Sequence, residues 1–540
     1  MVKKVLILGG GFGGVYLAKK LYNYKKSIFD IELISDNNYF VFQPLLPEVA
    51  SGAINASDAV SPLRLLLKGI KFRNAEIKEI NLKKGKVLLL QGFRRRSHWV
   101  RFDHLVIALG QESNLDIVKG LREHAFTIRN LKDAYNIRNH ILSCLELADV
   151  TKDQALKKRL LNFVVVGGGF SGVETIGEVK EMVDRIINYY PNIQPSELEF
   201  SIIEYANGLL PELDKTLGEY TEKVFLKNKI NVRCQSRLLE VTGTSVYLNK
   251  NITIKTNTII STIGSTVSNV LSNSKLKFTN GKIITNENLQ VSGFKNIWAL
   301  GDCALVPNKI DKEKRLEVYS PPTAQFAVRQ SQLLAKNILL LELGKKLKLF
   351  KYKSKGALAS LGSRKGVGKI YGVTIKGLFA WIVWRAFYLS FLPSFSTKIR
   401  VLLGWILEFV IPRNAVMTGT YKRNDISYQH YKKGDIVFEE GMIADGFYIV
   451  KEGSFKNTFK KTVNGKVYVK TYKSNDHFGS RVLLSGLRRT GTIVATEDSK
   501  VLKIERNSFI LMSENFPVLN EYFTKYLPKE FSDLDLKIEK

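Results

Sequence analysis

Six glycines set the first chemical expectation. In KVLILGGGFGGVY, residues 4–16, Gly9, Gly11 and Gly14 stand at G-x-G-x-x-G spacing, and in FVVVGGGFSGVE, residues 163–174, Gly167, Gly169 and Gly172 repeat it. At that spacing the first glycine permits a tight turn and the second lets a pyrophosphate approach the backbone. The third lets the following helix pack on the strand. Phosphate charge then rests against free amides at a helix start, where the helix dipole favours it. Two such loops predict two dinucleotides, and the natural pair is a flavin beside a nicotinamide.

Each loop asks for an acid downstream to hold ribose hydroxyls. After the apolar run at 30–34 the chain offers Ser35 and Asp36, and Asp36 is taken as the contact. After 199–203 it offers Glu204, whose carboxylate accepts from both ribose hydroxyls and repels a 2′-phosphate, favouring NADH over NADPH. A third carboxylate, Asp302 in NIWALGDCALVP, follows the apolar run at 297–300 and is placed to hold the flavin's ribityl chain. Its position after the second loop predicts that the chain returns to the first domain.

The elements that must position these groups are short, all-apolar strands at 5–8 and 163–166, the pattern of parallel strands covered on both faces. A chain of 540 residues exceeds one core and predicts three or four domains. The net charge of +32 points to an anionic partner: nucleic acid, a membrane surface or acidic small molecules. Three cysteines, Cys144, Cys234 and Cys303, make no CxxC pair, zinc site or disulfide framework, so no metal is expected and a reducing compartment fits. The apolar run at the N-terminus is too short for a secretion signal and reads as a strand, which predicts synthesis in the cytosol.

GGGFGG, LVIALG at 105–110, VVVGGGFSGVE, NIWALGDCA and SPPTAQFAVRQ at 320–330 together resemble the two-dinucleotide flavoprotein superfamily. FQPLLPEVASG at 42–52, the GVE at 172–174 and PPTAQ at 321–325 narrow the resemblance to the type II NADH dehydrogenases, single-chain NADH:quinone oxidoreductases that do not pump protons. The resemblance covers about residues 1–420 and implies an α/β fold of two Rossmann-like domains, one inserted in the other: 1–115 with 270–342 for FAD, and 116–269 for NADH. It implies FAD contacts from Gly9, Gly11, Phe12, Gly13, Gly14, Asp36, Gly110, Asp302, Ala324 and Gln325. It implies NADH contacts from Gly167, Gly169, Phe170, Ser171, Gly172, Glu204 and Gly264. Glu174 and Gln325 are the implied catalytic residues, near the flavin and the quinone headgroup. Arg329 stands where some members carry glutamine. Disulfide reductases and sulfide:quinone oxidoreductases rely on cysteine pairs that this sequence lacks.

Between Leu343 and Leu407 the chain has thirteen Lys or Arg and no Asp or Glu. GLFAWIVWRAFYLSFLP at 377–393 is aromatic and interrupted by Arg385. In the next segment Ile399, Leu402, Leu403, Ile406, Leu407 and Val410 recur at helical spacing, with Arg400, Gly404 and Glu408 opposite. Neither segment reaches eighteen uninterrupted apolar residues, so 343–420 is expected to be a basic amphipathic anchor lying in an anionic membrane surface. Packing on the protein's own core or on a second subunit stays open. No nucleic-acid recognition motif accompanies the charge.

From about Ile426 short alternating strands separated by turn residues predict a small all-β jelly roll over 426–540, with a hairpin at Asn464-Gly465 and a closing helix near 516–527. This region resembles a cyclic-nucleotide-binding domain, with HFGSRVLLSGLRRTGTIVA matching its phosphate cassette. The resemblance implies ligand contacts from Gly479 and Arg489, but Ser480 stands at the position of the family's ribose glutamate. An altered ligand, or a structural and regulatory role, is the expectation that follows.

The combined expectation is a peripheral enzyme on the cytoplasmic face of the cell membrane, passing hydride from NADH to FAD and two electrons to a membrane quinone. The C-terminal domain is a candidate regulator, and dimerisation stays open. An NAD(P)H flavoprotein with a soluble acceptor and a non-enzymatic redox sensor are the alternatives.

Overall fold

The computed structural model describes residues 2–24, 28–308, 319–411, 413, 415–417, 426–463, 466–480, 483 and 488–525. The apolar run after the N-terminus forms the strand Lys3–Leu8, buried from Val5 onward, and it occupies the centre of a five-stranded parallel sheet. Phe29–Ser35 and Lys71–Asn74 extend the sheet on one side, and His104–Ile107 and Ile297–Ala299 extend it on the other. The fifth strand is contributed by a segment that follows the whole second nucleotide unit in sequence. That unit has its own parallel sheet, ordered Ile230–Arg233, Glu199–Ile203, Asn162–Val166 and Thr258–Ser261. Strands buried on both faces explain why both sequences read as unbroken apolar runs.

A three-stranded antiparallel sheet, Gly356–Ser360, Gly366–Ile370 and Val373–Lys376, leads into the helices Gly377–Phe391 and Phe395–Leu407. The turn after its first strand lies against the helix Phe170–Ile186 at a glycine-to-glycine contact. A Cβ on Gly177 would come within 2.6 Å of the Leu361 carbonyl oxygen, and one on Gly362 (φ +71°) within 2.6 Å of the Gly177 carbonyl oxygen. Only glycine admits this approach.

The side of the second amphipathic segment that carries its polar residues turns inward. Arg400 Nε pairs with Asp58 at 2.9 Å, and Glu408 is buried among arginines. Val401 and Trp405 pack inward, while Ile399, Leu402, Leu403, Ile406, Leu407 and Val410 are exposed. Periodicity separates two faces but does not say which meets solvent. Here the apolar one does. Among the described residues no helix is long and apolar enough to cross a membrane.

The C-terminal region forms two four-stranded antiparallel sheets. One is ordered Ile426–Tyr431, Ser499–Glu505, Gly446–Glu452, His477–Phe478, and the other Ile436–Phe438, Thr492–Ala495, Phe455–Val463, Lys466–Tyr472. Phe438, Tyr448, Phe455 and Phe478 fill the space between them. The Asn464-Gly465 turn lies outside the described residues, although the strands flanking it pair, Val463 with Lys466. The closing helix is Pro517–Lys525, and a second helix, Arg506–Asn515, precedes it. The region docks on the second nucleotide unit through Lys432–Glu240 at 2.8 Å and Lys255–Asp435 at 3.3 Å. The His430 amide donates to His124 Nε2 at 3.3 Å.

Candidate functional site

Both glycine loops have the geometry their spacing predicts. Gly9 has φ +112°, and a Cβ there would lie 2.2 Å from the Ala108 carbonyl oxygen; a Cβ on Gly14 would lie 2.0 Å from the Gly9 carbonyl oxygen. Strand, turn and helix Phe12–Tyr24, which begins with Phe12, Gly13 and Gly14, therefore touch backbone to backbone. At Gly11 and at Gly110 a Cβ would meet nothing within 4 Å, so the space a dinucleotide needs is open beside a closed turn. The second loop repeats the contact from Gly172 to Gly167, ahead of the helix that begins Phe170, Ser171. The residues present at both loops fit the pyrophosphate of a dinucleotide such as FAD or NADH.

Register compares the positions of the two acids. Leu8 pairs with Ile34 and Val166 with Ile203, so Ser35 in the first sheet is equivalent to Glu204 in the second. Glu204 Oε2 accepts from the Gly168 amide at 2.5 Å and Oε1 from the Ala206 amide at 2.7 Å. Ser35 is buried against Gly10. Asp36 lies one residue beyond, exposed, accepting from Asn37 Nδ2 at 3.0 Å; its carboxylate reaches a ribose only from the loop after the strand.

Asp302 follows Gly301 (φ +73°), whose amide donates to Gln330 Oε1 at 2.7 Å. Gln330, fully buried on the helix Ala324–Glu342, thus fixes the turn that presents Asp302, a role the sequence did not reveal. Burial pushes the Asp302 carboxyl up, while Arg129 and Lys282 draw it down. On the same helix, Ala324 and Gln325 form the first turn. Gln325 Oε1 accepts from Tyr352 Oη at 2.6 Å and from the Lys355 amide at 3.1 Å. Arg329 lies over the Tyr352 ring, 5.5 Å from its centroid. Gly264 (φ +74°) lies three residues past the strand Thr258–Ser261, where its carbonyl accepts from the Asn114 amide at 3.3 Å.

Glu174 is buried, one turn into the helix Phe170–Ile186. Its Oε1 accepts from the Ser360 amide at 3.2 Å and from Trp384 Nε1 at 2.9 Å. Burial pushes its carboxyl up to about 8; those two donors oppose the rise, and Glu178 one turn on adds to it. Gln325 and Glu174 are therefore bonded to opposite ends of one strand, Gly356–Ser360, through Lys355 and Ser360. At about 3.3 Å per residue that is roughly 17 Å of backbone.

Behind Glu174 lies a charge cluster absent from the sequence reading. Glu48, in the FQPLLPEVASG stretch, accepts from Trp405 Nε1 at 2.7 Å and lies 3.6 Å from Arg385; burial pushes its carboxyl up to about 8. Glu178 accepts from Ser51 Oγ at 2.7 Å and pairs with Arg413 at 3.2 Å. Glu408 pairs with Arg385 at 2.9 Å and with Arg413 at 2.5 Å. Arg385, the single charge of its apolar segment, and Glu408, the single acid of the next, were the available signal. Charges buried in such company are paired.

In the C-terminal region Gly479 (φ +89°) and Arg489 are brought together: Arg489 Nη1 donates to the Gly479 carbonyl at 2.9 Å. Nη2 donates to Asp445 at 3.0 Å, and the guanidinium lies 3.9 Å from the Phe438 ring centroid. A phosphate there would share the guanidinium with Asp445. Ser480 is buried beside them, and cassette residues 481, 482 and 484–487 lie outside the described residues.

The description "Pyridine nucleotide-disulphide oxidoreductase" matches residues 3–331, "NDH2 C-terminal domain" matches 354–414 and "Cyclic nucleotide-binding domain" matches 428–515. A "Type II NADH:quinone oxidoreductase" of Staphylococcus aureus is 31% identical over 391 residues, spanning 69% of this chain and 91% of the relative. The chain belongs to the type II NADH:quinone oxidoreductase family. A "Probable NADH dehydrogenase" of Dictyostelium discoideum is 30% identical over 425 residues, 76% of this family member and 90% of the relative. In fold, it is similar to the NDH2 of Plasmodium falciparum solved in complex with NADH, with a TM-score of 0.71 at 22% identity, covering 77% of this chain and all of that one.

Proposed function

We propose that this chain reduces a membrane quinone at the cytoplasmic face of the cell membrane, with Glu174 as the proton donor and the docked C-terminal region as its regulator. The activity is that of its family, a non-proton-pumping NADH:quinone oxidoreductase using FAD and NAD(H). FAD, when bound, takes the hydride of NADH and passes two electrons to the quinone. The segments 1–115 and 270–342 hold FAD, and 116–269 holds NADH. Gly167, Gly169 and Gly172 admit the NADH pyrophosphate, and Glu204 takes its ribose.

The balance NADH + H⁺ + quinone → NAD⁺ + quinol consumes one proton beyond the hydride. Glu174 carries the proposal, because a buried carboxyl raised to about 8 holds its proton near neutral pH and can release it to a reduced oxygen. Trp384 and the Ser360 amide fix its orientation and stabilise the carboxylate left behind. Gln325, anchored by Tyr352, orients the headgroup from the other end of the strand.

The exposed apolar stripe on Phe395–Leu407, with Arg400 held to Asp58 on the other side of the helix, supports a seat in one leaflet through which a lipid-soluble quinone enters. An anaerobic stopped-flow titration tests the proposal: NADH should bleach the flavin absorbance, and a short-chain quinone analogue should restore it. Bleaching without restoration by quinone, or restoration by a soluble protein acceptor alone, overturns the quinone assignment.

A further inference from the structure

The connector to the C-terminal region begins inside the charge cluster. Arg413 lies between the helix Phe395–Leu407 and the first C-terminal strand, yet its side chain is only 2% exposed. Its guanidinium reaches Glu178 at 3.2 Å, Glu181 at 3.4 Å and Glu408 at 2.5 Å, three carboxylates from two helical segments. Glu178 stands four residues after Glu174, so the two side chains leave one helix face with their Cβ atoms about 5–6 Å apart, and the charge of Glu178 acts on Glu174. A cavity of about 10 Å³, the size of one water, touches Glu178, Glu181, Arg185, Arg385 and Glu408. Arg385 keeps a buried Nε with no protein hydrogen-bond partner.

We infer that Arg413 is a positioning residue for quinone reduction: its charge holds Glu178 as a carboxylate beside Glu174, and so ties the attachment of the C-terminal region to the proton donor. The inference rests on the reading of Glu174 as that donor. Burial already pushes the Glu178 carboxyl up, and Arg413 is the main group that opposes the rise; without Arg413, Glu178 is left buried against Glu181, Glu408 and Glu48 with Ser51 as its remaining donor, and it takes up a proton. Glu174 then loses the like charge one turn away and releases its own proton more readily. The other charged or titratable groups at this face are Arg185 and Arg385, which keep their partners Glu181 and Glu48, and Tyr388, a neighbour of Glu174 that burial keeps as a neutral hydroxyl. The predicted sign is therefore a move of the Glu174 transition toward acid.

Arg413→Met and Arg413→Lys, in the full FAD-loaded chain, test this. In Arg413→Met the alkaline limb of the quinone half-reaction should move about one pH unit toward acid, with the NADH half-reaction unchanged. Infrared titration of the oxidised protein should show one additional protonated carboxyl near neutral pH, absent when Glu178→Gln is combined with Arg413→Met. Arg413→Lys should restore both readouts. An unmoved limb and an unchanged carboxyl band in Arg413→Met, with FAD retained, overturn the inference. Should the wild-type chain fail to reduce quinone or show no alkaline limb, the Glu174 reading falls instead.

Discussion

Trp384→Phe isolates one hydrogen bond at the proton donor. The indole nitrogen donates to Glu174 Oε1 at 2.9 Å in a fully buried setting, and phenylalanine keeps an aromatic ring against Trp405 and Tyr388 while deleting the donor. A hydrogen bond to a charged group contributes about 1.5–3 kcal/mol, and one pH unit corresponds to about 1.4 kcal/mol. The bond favours the carboxylate over the acid, so its loss raises the pKa. Glu174, already pushed up to about 8, should then ionise about one to two pH units higher. The carboxyl is protonated and competent below its pKa, so the quinone half-reaction should hold its rate further into the alkaline range. Stopped-flow reoxidation by a quinone analogue across pH 6 to about 10 measures this. A limb that stays in place, or moves toward acid, refutes the argument that the indole holds the carboxylate form.

Glu174→Gln should slow the quinone half-reaction by about 10²–10⁴-fold and abolish its alkaline limb while leaving flavin bleaching by NADH intact, in the same stopped-flow assay. Glu204→Gln removes the charge that repels a 2′-phosphate, while its single acceptor oxygen keeps only one of the two backbone amide contacts, so the NADPH to NADH ratio of kcat/KM should rise about tenfold; steady-state kinetics with both nucleotides measure it. Leu403→Glu, on the exposed stripe, should weaken binding to vesicles of anionic phospholipid by about thirtyfold, from roughly 2 kcal/mol of lost apolar transfer, with NADH oxidation by the soluble protein unchanged; sedimentation with vesicles reads the loss. Calorimetry with cyclic AMP and cyclic GMP should be silent for the wild-type chain, because Asp445 engages Arg489 and Ser480 supplies no carboxylate for the ribose; heat from either nucleotide would show that the guanidinium exchanges partners.

The parts legible in sequence were those fixed by local backbone demands. Gly9 and Gly14 could be placed because a strand, a turn and a helix must touch there, and the apolar runs at 5–8 and 163–166 announced covered strands. The GVE motif picked out Glu174, but not its burial, which depends on Ser360 and Trp384 far along the chain. Glu48, Glu178 and Arg413 stayed hidden for the same reason: their partners are distant in sequence and adjacent only after folding. Helical spacing found the two faces of the segment around 399–410, but only packing against Asp58, Glu48 and Arg385 decided which faces the protein. The register of the first sheet, rather than the presence of an acid, moved the Glu204 equivalence from Asp36 to Ser35.

The fifth strand of the first sheet, Ile297–Ala299, also governs how the chain is born. Its partner His104–Ile107 leaves the ribosome about 190 residues earlier, and at about 5–20 residues per second that edge stays open for roughly 10–40 s. During that interval the nascent first sheet presents an apolar edge with unpaired amides and carbonyls, the feature that invites pairing with other chains. The second unit is complete in sequence before the first can close, so it folds while its host is still unfinished. Synthesis therefore favours an order in which the inserted second unit matures first and the first sheet closes last.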